Sequence, residues 1–333
     1  MTGRSGSRLS IVIVRGCRIA SGIVIAVAAA VAACVAGTPA EATTAGQGKA
    51  TPVRGNFAGR IAIGNGRKLY LRCKGSGRPV VVLESGIHDS SDPWTLTQTE
   101  PPVVASPPVF SGVARFTRVC RYDRPGTIRY IGPSALTTRS TPVKMPRTLP
   151  GLASDLRKLL RRSGIRGPYV LVGHSFGGMI VRLFAQTYPS KVAGLVFVDA
   201  FGTNIRDLFG PQLWPSYVQL LNHPGTPFDS NRRFETIDID GAIDALLRAR
   251  ELPRIPLAVM SKTEPFATLP SVSPVIKRKL EEVWPLVGDE LVKLEPQTPH
   301  IFATGSDHYV QIHDPDLTTA TIRLILKRVR RGR

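Results

Sequence analysis

The run Gly173-His174-Ser175-Phe176-Gly177 constrains this chain more than any other stretch. Glycines stand two positions either side of a serine, and an apolar run, Tyr169 to Val172, leads in. A helical pattern with Met179, Ile180, Leu183 and Phe184 on its apolar face leads out, as far as Tyr188. A buried strand that turns this tightly into a helix strains the backbone at the serine, and the glycines let neighbouring backbone pass closely. The serine oxygen then projects at a helix N-terminus, where backbone N–H groups can receive negative charge. The string alone is weak in a chain with 31 glycines. Its strand-and-helix setting makes Ser175 a candidate nucleophile.

The rest of the chain supplies a frame for such a turn. Arg60 to Ile63 and Lys68 to Cys73 read as strands around Asn65-Gly66, a hairpin signal. Pro79 to Leu83, Thr117 to Tyr122, Val192 to Val198, Leu257 to Met260 and His300 to Thr304 read as further strands, several of them continuous apolar runs. Leu152, Leu156, Leu159 and Leu160 form one helical stripe, and Leu317 to Val329 a closing helix. Strands alternating with helices predict an α/β class and a doubly wound sheet entered through an antiparallel hairpin. Residues 201–253 carry few strand signals, and Trp214, Tyr217, Leu220 and Leu221 suggest a short helix there. This stretch reads either as a lid insertion over the site or as a packed helical excursion.

Four segments resemble the α/β-hydrolase family, and within it a group of exported bacterial hydrolases. They are Val80 to Gly86 (VVVLESG), Phe116 to Gly126 (FTRVCRYDRPG), Gly167 to Ser175 (GPYVLVGHS) and Gly194 to Ala200 (GLVFVDA). The resemblance spans a catalytic domain over residues 56–333. It implies the α/β-hydrolase fold, a mostly parallel eight-stranded sheet flanked by helices, and a Ser-acid-His triad. It does not name a substrate. The family places its base after the last strand, which points to His308; His300, His313, His174, His88 and His223 sit less suitably. The acid is open between Asp199, after the strand following the elbow helix, and Glu264, in the turn after the next strand where an aspartate is more usual. Oxyanion donors are expected at the N–H of Phe176, after the nucleophile, and of Ile87, because Ser85-Gly86 resembles the His-Gly pair of relatives.

Arg4, Arg8, Arg15 and Arg18 precede an apolar run from Ile19 through Ala36, which reads as an export signal over residues 1–34, followed by a linker over 35–55. Val31-Ala32-Ala33-Cys34 resembles a bacterial lipobox, making Cys34 a lipidation candidate. Cleavage to a soluble secreted form near Ala40 and an uncleaved membrane anchor are the other two readings. Cys73 and Cys120 fall on strands that neighbour each other in such sheets, so they pair as a disulfide or stay as buried thiols. With 44 basic and 24 acidic residues the net charge is +20. The basic residues are scattered apart from a short C-terminal cluster (Lys327, Arg328, Arg330, Arg331 and Arg333), and no nucleic-acid signature accompanies them, so a basic soluble surface or attraction to the cell envelope is expected, and no specific nucleic-acid partner. No metal-ligand spacing appears, and no cofactor or metal is expected.

The expected activity is hydrolysis of a small hydrophobic carboxylic ester through an acyl-enzyme on Ser175. The alternatives are another acyl bond (amide, lactone or thioester) or a binding protein that keeps the fold without turnover. Oligomeric state has no signature in the sequence.

Overall fold

The computed structural model describes residues 52–98, 107–267 and 272–332. The segment read as an export signal, with Cys34, and the expected linker residues up to 51 lie outside them. The chain from Gly48 onward forms one compact unit.

A hairpin opens the fold: β1 (Phe57–Gly64) pairs antiparallel with β2 (Arg67–Lys74). Asn65 and Gly66 between them both take positive φ, 50° and 69°, the backbone that follows the natural twist of two paired strands. β3 (Val80–Glu84), α1 (Val109–Val113) and β4 (Val119–Tyr122) follow, then the short strands β5 (Ile128–Arg129) and β6 (Ala135–Leu136). Next come α2 (Leu149–Arg162), β7 (Tyr169–His174), α3 (Gly177–Thr187) and β8 (Val192–Val198). The insertion carries α4 (Ile205–Asn222) and α5 (Ile239–Arg248). β9 (Leu257–Lys262), α6 (Pro274–Val292), β10 (His300–Ala303), α7 (Val310–His313) and α8 (Pro315–Arg331) complete the chain.

The main sheet has eight strands in the order β1-β2-β4-β3-β7-β8-β9-β10. Only β1 with β2 and β2 with β4 pair antiparallel; every other neighbouring pair is parallel. The central strands β3, β4 and β7 are buried at every position and mostly apolar, because helices cover both faces. Successive residues then enter opposite cores. Leu171, Leu195, Phe197 and Val259 pack with α2 and α3 on one side. Val170, Val172, Val196 and Met260 pack with α1 and α8 on the other. Cys73 sits directly opposite Cys120 in the β2–β4 register, with Cα atoms 4.1 Å apart, and the two form a disulfide.

Helix α6 is absent from the sequence expectations. Its period was legible, since Ile276, Leu280, Val283, Val287 and Leu291 form one buried stripe, but Pro285 in its middle argues locally against a helix. The insertion holds two helices where a single short one is expected. α4 is broken at Gly210 (φ 75°), and Pro211 begins its second stretch. This insertion is packed rather than loose. The rings of Phe209 and Tyr217 stack at 4.2 Å, and Trp214 Nε1 donates to Asp240 Oδ1 of α5 at 2.8 Å.

Candidate active site

Ser175 stands between the C-terminal end of β7 and the start of α3, with φ +52°. A non-glycine residue in this region is held there only by its surroundings. Those surroundings need the flanking glycines: a Cβ on Gly173 would lie 2.6 Å from the Gly177 carbonyl oxygen, and one on Gly177 would lie 2.5 Å from that of Ser85. The serine backbone is pinned by its own N–H donating to Val198 O at 3.1 Å and by its carbonyl accepting from Phe201 N at 3.0 Å.

His308 lies in the loop between β10 and α7, and its Nδ1 is 2.6 Å from Asp199 Oδ2. Asp199 closes β8 with φ +42° and is almost wholly buried. Its second oxygen accepts the Lys262 N–H at 3.0 Å, so one carboxylate both braces the β9 end and meets the imidazole. Glu264 is not brought to His308. It is exposed, its own N–H goes to the Ser306 carbonyl, and among the described residues its side chain hydrogen-bonds only Thr263. His174 packs under the turn: its Nε2 donates to the His308 carbonyl at 2.9 Å. Burial pushes its pKa well below the ordinary histidine value, with His308 nearby adding to the effect, so it serves as a neutral strut. His300 contacts Ser261, and His313 contacts Asp307. His88 is buried and stacks on Phe234, and among the described residues no hydrogen bond or ring contact joins His223 to Asp199 or His308.

The N–H groups of Phe176 and Ile87 donate to no protein group among the described residues. A buried network aims the second of them. Arg124 clasps Glu235 through Nε and Nη2 (2.7 and 2.8 Å) and reaches Glu84 through Nη1 at 2.7 Å. The same guanidinium donates to the carbonyls of Ser85 (2.9 Å) and Gly86 (2.5 Å). In a trans peptide the N–H points opposite to the carbonyl, so the Ile87 N–H faces away from Arg124. Tyr122 hydrogen-bonds Glu84 from the other side. Burial works against ionised Glu235, but Arg124 outweighs it and holds that carboxyl below its usual range. Glu235 also accepts the His88 N–H at 2.8 Å, and His88 Nε2 donates to Leu221 O. Glu235 belongs to the inserted segment, so the insertion is tied to the oxyanion loop through a buried ion pair.

A cavity of about 280 Å³ exposes Ser175 and His308 to apolar walls that include Ile87, Tyr217, Leu221, Phe266, Leu280 and Trp284. One polar cluster interrupts the walls. Asp89, buried, accepts from Tyr130 Oη at 2.8 Å and Tyr309 Oη at 3.4 Å, and burial pushes its carboxyl up to about 6. Sequence reasoning missed Asp89, Arg124 and Glu235 as site residues. The Arg124–Glu235 pairing spans 111 positions, and no local pattern announces it.

A family model described as the alpha/beta hydrolase fold matches residues 79–236. An uncharacterized protein of Bacillus subtilis (strain 168), YqjL, is 24% identical over 254 residues, covering 75% of this chain and 84% of that protein. Lipase LipV of Mycobacterium tuberculosis is 35% identical over 91 residues, which is 26% of this chain and 34% of the lipase. Among solved structures, a bromoperoxidase from Bacillus anthracis superposes with a TM-score of 0.51 at 15% identity, covering 81% of this chain and all of that one (100%). Its sheet order, its elbow and the family-model match over residues 79–236 give this chain the α/β-hydrolase fold.

Proposed function

We propose that this chain is a serine hydrolase that cleaves small, largely apolar carboxylic esters. The observation that carries the reading is the 2.6 Å contact of His308 Nδ1 with Asp199 Oδ2, in a cavity that also exposes Ser175 on its elbow. Asp199 accepts a hydrogen bond from Nδ1–H of His308, which keeps the proton on Nδ1 and leaves Nε2 free to take the Ser175 hydroxyl proton. Ser175 Oγ then bonds to the ester carbonyl carbon. The carbonyl electrons move to its oxygen, facing the N–H groups of Phe176 and Ile87. Collapse expels the alcohol, which takes its proton from His308. Water, deprotonated by the same Nε2, releases the acid and restores Ser175.

Apolar walls around a cavity of about 280 Å³ suit a short acyl or alcohol group, since drug-sized ligands occupy about 300 Å³ or more. The shared stretch with a lipase supports ester chemistry over other acyl bonds. A fluorophosphonate probe tests the reading. It labels the folded wild type and not Ser175→Ala, and a panel of p-nitrophenyl esters then shows highest kcat/KM for short chains. Absence of labelling in well-folded wild type would sink the hydrolase reading and leave a binding protein. We also read the chain as exported and held to a membrane through residues 1–34.

A further inference from the structure

A strongly basic hollow lies at the opposite edge of the sheet from Ser175. It has a volume of about 860 Å³ and sits at the N-terminal ends of the parallel strands, where Val80 begins β3 and Tyr169 begins β7. Seven cations line it: Arg54, Arg78, Arg118, Arg157, Arg161, Arg166 and Lys191. No carboxylate lines it, and among the described residues none of the seven forms an ion pair. Their polar contacts are with backbone carbonyls, Arg118 with Val53 and Arg78 with Arg166, and Arg157 lies over the Tyr188 ring. Burial, with no anion to offset it, holds Arg118 below the ordinary arginine value. The basic character runs on beside the groove. Arg330 reaches the Arg78 carbonyl, and Arg254, Arg328 and Arg331 line a neighbouring hollow in which Glu295 is the one acid.

We infer that this basic edge of the sheet docks on the phosphate headgroups of an anionic phospholipid bilayer, leaving the Ser175 cavity at the other edge. Charge complementarity is the first argument, because eleven cations against one carboxylate make a surface that attracts fixed negative charge. The second is where the chain enters. Pro52 to Gly55 form one wall of the groove, so the apolar run that ends at Ala36 is joined to the fold at this edge. The intervening residues extend at most about 55 Å.

Vesicle co-sedimentation of the full-length chain tests this, titrating phosphatidylcholine vesicles against vesicles with about one third phosphatidylglycerol. Binding through residues 1–34 is common to both, so the readout is the gain from anionic lipid. At about 0.1 M salt the lipid needed for half-binding falls at least ~10-fold on the anionic vesicles, and at about 1 M salt the gain vanishes. Replacing Arg78, Arg157, Arg161 and Arg166 together by Gln removes most of the gain and leaves ester hydrolysis unchanged. The same four positions as Lys retain it, because a diffuse lipid surface reads charge rather than guanidinium geometry. No gain in wild type, or an undiminished gain in the folded Gln variant, overturns the proposal. So does a duplex DNA fragment that strips the protein from anionic vesicles at equal phosphate concentration, which would assign the groove to a linear polyanion.

Discussion

Asp199 meets His308 across 109 positions of sequence, from the end of β8, while Glu264 at the end of β9 stays in solvent. The two carboxylates differ in what holds them. Asp199 has a buried position, a fixed backbone at φ +42° and a second hydrogen bond from Lys262 N. An orienting acid has to be held this way, since a loosely tethered side chain would surrender the imidazole to water.

Substitution therefore separates the two acids. Asp199→Asn lowers kcat by a factor on the order of 10³–10⁴ through loss of the correct imidazole tautomer, with KM little changed. Glu264→Gln leaves kcat within about twofold, as removal of a surface charge does. Steady-state kinetics on a p-nitrophenyl ester distinguishes them, and the reverse pattern would transfer the role to Glu264.

Arg124 predicts a coupled effect on rate and stability. Arg124→Lys keeps the charge but loses the fork that grips Glu235 and the Gly86 carbonyl, so the Ile87 N–H loses its aim. Expected is a fall in kcat of about 10-fold to 100-fold with KM moving less. Arg124→Met instead strands two buried carboxylates and costs about 3–5 kcal/mol, read by urea denaturation. A Lys variant with wild-type kcat would show that the loop needs no such support.

Asp89 predicts a pH signature. Burial raises its carboxyl to about 6 from the ordinary aspartate value of 3.8, so between those values the folded protein binds more protons than the unfolded one. Stability from this group is complete below about pH 3.8 and is lost as pH rises through about 6. A difference of that size between the folded and unfolded carboxyl is worth about 3 kcal/mol. Asp89→Asn, whose side-chain oxygen still accepts from Tyr130, removes that dependence. Measured by denaturation, its stability relative to wild type rises by about 3 kcal/mol between roughly pH 3.5 and pH 8. A flat difference over that range would contradict the assignment.

The Cys73–Cys120 bridge closes a loop of sequence separation 47. Chain-entropy arguments for a loop of that length give about 4 kcal/mol. The double variant Cys73→Ser/Cys120→Ser should lose about 2–4 kcal/mol in urea denaturation while retaining ester hydrolysis, because both sulfurs lie in the β2–β4 part of the sheet.

Much of this architecture is determined by the sequence through short-range signals. The Asn65-Gly66 turn, the apolar runs of β3, β7 and β8 and the glycines around Ser175 each depend on a few neighbouring residues. Backbone propensity, strand burial and close approach act at that range, so they are readable in order along the chain. Helix α6 was within the same reach, but Pro285 masked a stripe that only packing against the sheet redeems. The choice of Asp199 over Glu264, the clasp of Arg124 on Glu235 and the gathering of Arg54, Arg118 and Lys191 at one sheet edge belong to the tertiary structure. Each depends on which strand lies beside which, and on which charges lose their water together. Burial and Coulomb attraction act through space, and no periodicity in the chain records them.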